Sequence, residues 1–303
     1  MKALPESLEG FNILHVVLDS LRFDSASRAD TPVLDSLGPL IAARTLAPYT
    51  PAAHAAAWLG HFPSAPTSAL PYYNETVRQP LRITTGPARD ANKGCGMLLD
   101  GADVLDGLCR KGYSTLGWGG VSQFSTGSWL RQFAWDHFTY FGVDMDEEPL
   151  APRAPETFPL NLNRVGEILS TMSDYGKVPW FLFLNDPAPH YPYDWGEGIT
   201  EEVREEAFPL LKLNLRSHHL AMEKRDMLAL YAPLLQQMQV DGLERYIDPG
   251  LGELFKGLRQ ISDRPVFAIV HADHGEYFGE DGLYGHMHGG IYDMTVPLWI
   301  GVL

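Results

Sequence analysis

The sequence predicts an α/β fold with a mostly parallel central sheet flanked by helices. Three observations carry that expectation. Short apolar runs rich in β-branched and aromatic residues recur at Ile13 to Leu18, Ser114 to Trp118, Trp180 to Leu184, Val266 to Val270 and Val296 to Val302, as expected of strands buried on both faces. Helix-like stretches stand between them, at Thr31 to Ala43, Ala102 to Lys111, Leu162 to Met172 and Leu251 to Ser262; such alternation points to a parallel sheet with right-handed crossovers. Finally, three of the strands run directly into Asp19, Asp186 and Asp273. The carboxyl ends of parallel strands are where such sheets build sites.

Composition narrows the function classes. The chain has 303 residues, 45% hydrophobic and 20% charged, enough to bury a large core and read here as one domain over 1–303. A formal net charge of −15 without clustered Lys and Arg argues against a nucleic-acid duplex as partner, since phosphate contacts need local positive charge. An acidic protein that handles anions can draw that charge from bound metal ions. The opening MKALPESLEGFNILHVVLD resembles no secretory signal, because an acidic stretch precedes an apolar run broken by Asn12 and His15, so a cytoplasmic location is expected. No apolar run is long enough to span a bilayer, so no membrane partner is expected. Cys95 and Cys109 alone exclude a disulfide framework and a cysteine-rich zinc site. Oligomeric state is not readable.

Along the chain, HVVLD ends the first strand on Asp19. LAPYTPAAHAAAWLG follows, and its small-residue run suits a helix beginning near Pro51. A Thr at that helix start, Thr50, sits where backbone N–H groups and the helix dipole favour an incoming anion. Its hydroxyl needs a metal to become a nucleophile. Pro149 to Pro159 reads as a surface connection. FLFLND ends on Asp186, and in NDPAPH His190 stands four positions further on; a turn there would present an oxygen and a nitrogen ligand to one cavity. Glu197 to Gln239 is charged and mostly helical, a candidate insertion or lid. HADHGE places Asp273 and His274 just after a buried strand, where a turn at Gly275 lets both converge on one cation. GLYGHMHGG then offers His286 and His288, with His288 the choice to complete a ligand set. The loops Tyr72 to Pro80, Gln123 to Trp129 and Tyr191 to Trp195 carry aromatic residues suited to lining a substrate pocket.

Together these segments resemble the alkaline phosphatase superfamily, in particular its sulfatase-like and nucleotide pyrophosphatase/phosphodiesterase-like branches. NILHVVLDSLRFD with TPVLDSL resembles the opening strand, first metal-binding Asp and following helix; YTPAAHAAAWLGHFP resembles the nucleophile segment. LDGLCRKGYSTLGWGG, FAWDHF, DPAPHYPYD, HADHGEYFGEDG and IYDMTVPLWI resemble later family segments, so the likeness spans almost the whole chain.

The resemblance implies an alkaline phosphatase-like fold, Thr50 as nucleophile and His54 as the His of that segment. It also implies two divalent metal ions, one held by Asp19, Thr50, Asp273 and His274, the other by Asp186, His190 and a late His. Mixed Asp and His ligands suit zinc, with manganese, iron and magnesium as alternatives. The implied activity is metal-dependent hydrolysis of a small phosphomonoester, phosphodiester or phosphonate through a phosphothreonine. The departures matter too. Thr50 stands where sulfatases need Cys or Ser, and His54 where they carry Arg. GWGGVSQ lacks their Lys, and Ser20 replaces a second Asp. The alternatives are a phosphotransferase like the phosphoethanolamine transferases, and a non-catalytic homologue that binds a metal or anion.

Overall fold

The computed structural model of the chain describes residues 4–60, 103–125, 129–141, 161–190 and 222–303. Pro149 to Pro159, the loops Tyr72 to Pro80 and Tyr191 to Trp195, Cys95, residues 126–128 and the portion 197–221 of the charged stretch lie outside them.

Seven strands form one sheet: β1 (Asn12–Leu18), β2 (Ile41–Arg44), β3 (Ser114–Gly119), β4 (His137–Tyr140), β5 (Trp180–Asp186), β6 (Val266–His271) and, last in the chain, β9 (Thr295–Val302), in the spatial order β2-β9-β6-β1-β5-β3-β4. β1 is parallel to both β5 and β6, and β3 to both β5 and β4. Among the described strands of this sheet, β9 alone runs against its neighbours, β6 and β2. A separate two-stranded pair, β7 (Tyr277–Phe278) and β8 (Tyr284–Gly285), follows β6.

The period-two alternation of side chains divides the core between the two faces of the sheet. On β1, Leu14, Val16 and Leu18 join one apolar cluster while Ile13 and Val17 join another; on β5, Leu182 and Leu184 join the first, Phe181 and Phe183 the second. The first face is covered by α5 (Val165–Ser173) and α7 (Asp248–Ile261), which supply Ile168, Met172, Leu251, Leu254, Phe255 and Leu258. The spacing of those α7 residues is the apolar stripe of an amphipathic helix. The second face receives Trp58 of α3 (Thr50–Leu59) and Leu105 of α4 (Val104–Arg110). With both faces covered, strands as apolar as β1 and β5 have no solvent side, which explains why apolar residues predominate at consecutive positions instead of alternating with polar ones.

One expected helix is corrected. Thr31 to Ala43 forms only the short α2 (Pro32–Asp35), preceded by another short helix, α1 (Phe23–Ala26), and followed by β2. Gly38 and Pro39 end the helical run, because proline removes a donor and disfavours helix at the residue before it. The chain then pairs Ile41 with Leu298 and Ala43 with Val296 at the sheet edge. The charged stretch ends as expected in a helix, α6 (Met222–Gly242), which continues through a π turn at Leu243–Ile247 into α7. Among the described residues no helix is long and apolar enough to cross a membrane.

Register brings the strand ends level: Leu18 pairs with Asp186 and Val17 with His271. The loops bearing Asp19, Asp186 and Asp273 therefore leave three adjacent strands at one edge.

Candidate metal centre and nucleophile

Asp19, Asp273 and His274 are buried, and each offers a ligand atom within 4.8 Å of the others'. His274 has the tautomer that a metal ligand requires. Its Nδ1 lies 2.9 Å from the carbonyl of Gly275, which only accepts, so Nδ1 carries the proton and Nε2 presents its lone pair. That Nε2 lies 3.6 Å from Asp19 Oδ1 and 3.7 Å from Asp273 Oδ2. Asp273 Oδ1 accepts from the N–H of Ser20 at 3.3 Å and of His274 at 3.0 Å, whereas its Oδ2 is buried without a hydrogen-bond partner among the described residues.

The electrostatics call for a cation. Burial, and then the neighbouring Asp273, push Asp19 up to about 6. Burial likewise pushes Asp273 up to about 6. Burial and the nearby His286 hold His274 down to about 3. Two desolvated carboxylates beside a neutral imidazole repel one another without a positive charge between them, and an orphaned carboxylate oxygen marks where it fits.

Thr50 is the first residue of α3, after an extended Tyr49 and before Pro51. This places its hydroxyl against the cluster: Oγ1 lies 3.2 Å from His274 Nε2 and 3.5 Å from each Asp19 oxygen. His54, one turn along, faces the other way. Its Nδ1–H donates to the Thr50 carbonyl at 2.9 Å and lies 3.6 Å from Asp273 Oδ2, while its ring packs among Trp58, Phe124 and Phe183. Burial first of all holds it down to about 3. As a neutral imidazole it donates its one N–H to the Thr50 carbonyl and so helps to hold the first turn of α3.

Asp186 is also buried, but its carboxylate is turned to protein donors: the N–H groups of Leu162 at 3.1 Å and Ala188 at 3.0 Å, and the Tyr246 hydroxyl at 3.0 Å. His190 follows four residues later, its ring 5.4 Å from the ring of His286, which in turn lies 4.5 Å from the ring of His274. Of the two late histidines, His286 thus adjoins the cluster. His288 lies against Tyr277 at 5.2 Å and donates Nε2–H to the Tyr284 carbonyl at 2.9 Å.

Several supporting roles were not read from the sequence, in which Ser20 was noted only as standing in place of a second Asp. Ser20 adopts φ 61°, a left-handed conformation costing roughly 1–3 kcal/mol for a non-glycine residue; it turns its N–H to Asp273. Asn185 donates to Asp19 Oδ2 at 3.4 Å. Arg22 is 2% exposed, grips Asp24 through Nε and Nη2 at 2.7 and 2.6 Å, reaches Glu280 at 2.8 Å, and lies between the rings of Phe278 and Tyr292. It thereby ties the loop after β1 to the segment that leads to His286. The only sequence signal for Arg22 was its place three residues after Asp19.

Neither a protein-family profile nor a curated protein sequence matches the chain. Solved structures do share its architecture. The C-terminal periplasmic domain of EptC from Escherichia coli matches with TM-score 0.53 at 16% identity, over 96% of this chain and 73% of that one. The corresponding domain of phosphoethanolamine transferase EptC from Campylobacter jejuni gives 0.57 at 15%, over 96% and 79%. Phosphonate monoester hydrolase of Agrobacterium radiobacter gives 0.58 at 16%, over 95% and 67%. The chain has the alkaline phosphatase superfamily fold. The Escherichia coli EptC domain is also known in complex with zinc, matching this chain with TM-score 0.55. In the present chain, Asp19, Asp273 and His274 form a donor set suited to a divalent cation.

Proposed function

We propose that this chain is a metal-dependent hydrolase of small phosphate-type esters, with Thr50 as its nucleophile. The observation that carries the reading is the Thr50 hydroxyl, which stands at a helix start against the Asp19–Asp273–His274 cluster, 3.2 Å from His274 Nε2. Asp19, Thr50, Asp273 and His274 would hold one divalent ion; Asp186, His190 and a late histidine would hold a second, with His286 better placed than His288. Asp186 joins that set only by giving up part of its present hydrogen bonding. Bound zinc, or manganese, iron or magnesium in its place, supplies the charge that lowers the pKa of the Thr50 hydroxyl and offsets charge on the ester oxygens.

In this reading Thr50 Oγ loses its proton to solvent and forms a bond to phosphorus while the bond to the leaving alcohol breaks. The alkoxide takes up a proton from water. Water then attacks the phosphothreonine, returning the Thr50 hydroxyl and releasing the phosphoryl product. His54 keeps the Thr50 carbonyl in place.

The test pairs elemental analysis with hydrolysis of p-nitrophenyl phosphate, bis-p-nitrophenyl phosphate and p-nitrophenyl sulfate. About two metal ions per chain with monoester or diester cleavage is expected. Thr50→Ala should lower turnover by at least about a thousandfold, as loss of a catalytic nucleophile does, while metal content stays near that of the unmodified protein. Wild-type turnover in Thr50→Ala would sink the mechanism.

A further inference from the structure

Gln239 lies near the end of α6, is 1% exposed, and reaches two ligand-bearing loops at once. Its Nε2 donates to the carbonyl of Ser20 at 3.0 Å, in the loop after β1, and to the carbonyl of Pro189 at 2.9 Å, in the loop after β5. Its Oε1 accepts from the N–H of Arg22 at 3.4 Å. Ser20 directly follows Asp19, and Pro189 directly precedes His190. One carboxamide therefore spans the gap between residues assigned to the two halves of the donor set.

We infer that Gln239 is a positioning residue: by bonding the carbonyls of Ser20 and Pro189 together, it sets the separation of the two ion-binding halves. The inference rests on the two-ion reading above. It also gives the charged stretch before α7 a role distinct from a lid, because the closing turns of that stretch act as a clasp.

The chemistry of the contact selects glutamine. A primary amide offers two N–H donors and an acceptor on one planar group, and both donors are in use. Glutamate would set oxygen against two carbonyl oxygens, and methionine would leave both buried carbonyls without this donor. Ser20 holds a left-handed conformation that must be fixed from outside, and Gln239 is one of the groups that fix it.

A merely structural role, docking α6 on the domain, is separable. Gln236 lies on the same helix and joins Asp24 at 2.9 Å and Arg28 at 2.7 Å, both away from the donor atoms. Zinc is titrated calorimetrically into the metal-stripped full chain for the unmodified protein, Gln239→Met and Gln236→Ala. The expected result is two zinc sites in the unmodified protein, a loss of roughly 10- to 100-fold in affinity for at least one of them in Gln239→Met, the range seen when outer partners of metal ligands are removed, and unchanged binding in Gln236→Ala. Unaltered affinities in Gln239→Met overturn the inference, as does an equal loss in Gln236→Ala, which would make helix docking the whole effect. Fewer than two zinc sites in the unmodified protein overturns the two-ion reading and the inference with it. If Gln239→Met does not fold, Gln239→Glu carries the same comparison, since it keeps the shape and removes both donors.

Discussion

Asp293 behaves unlike the surface carboxylates. It is fully buried on α8 (Ile291–Met294), and its Oδ2 accepts from the N–H groups of His288 at 2.6 Å and Gly289 at 2.9 Å. Burial outweighs those bonds and pushes its carboxyl up to about 8, from an ordinary value of 3.8. The folded protein therefore binds a proton that the unfolded chain has already released between those two values. Stability from this group is full below the unfolded pKa and is lost as pH rises toward 8. Asparagine keeps an acceptor for the two N–H groups and removes the titration. Asp293→Asn should gain thermal stability relative to the unmodified protein as pH is raised from 5 to 8; a gap between the two melting temperatures that stays constant with pH would show that the carboxyl is already ionised. Asp19 and Asp273, both near 6, follow the same sign in the metal-free protein.

At the scale of elements, the site depends on turns that bring distant side chains together, among them the turn after β6. Gly275 donates its N–H to the Asp293 carbonyl at 2.8 Å, and a Cβ added there would run into the backbone carbonyl of Tyr292. Gly275→Ala should cost about 1–3 kcal/mol, the usual range for overpacking, in urea unfolding, and should weaken metal binding because the Gly275 carbonyl holds the His274 proton. Wild-type stability in that variant would mean the turn yields easily. This turn was legible in HADHGE because its ligands and glycine are consecutive, and the strands of the sheet's middle were legible because both their faces are buried. The elements that were not legible have weaker local signals. β2 is four residues, IAAR, and is a strand only because β9 pairs with it; β7 and β8 are two residues each. Gln239 was unreadable as a site residue for a different reason. It meets Ser20 across 219 positions of sequence, and no local pattern encodes so distant a contact. The choice of His288 over His286 turned on the same kind of missing information, since which imidazole adjoins His274 depends on how the β7–β8 segment packs on Arg22.

For the whole molecule, the sheet joins metal binding to folding. β6, β1 and β5 are neighbours in that order and carry Asp273, Asp19 and Asp186 at or just beyond their ends, so the donor set assembles only when the central strands are paired. The unfolded chain has no equivalent site, and binding free energy then appears as folding free energy. A zinc concentration of about 1,000 times Kd adds about 4 kcal/mol to stability, so stripping the metal should lower the melting temperature at pH 7.5 and restoring zinc should recover it. The recovery should shrink at pH 5. There Asp19 and Asp273 are mostly protonated in the metal-free fold, each with a pKa near 6, and zinc must displace those protons to bind. Asp273→Ala removes one of the two carboxylates of the Asp19–Asp273–His274 cluster, along with the buried carboxylate oxygen that lacks a hydrogen-bond partner among the described residues, and should abolish most of the zinc-dependent shift at both pH values. A melting temperature indifferent to zinc and manganese at pH 7.5 would remove the metal centre; a shift of equal size at pH 5 and pH 7.5 would instead place the ion on ligands other than these two aspartates.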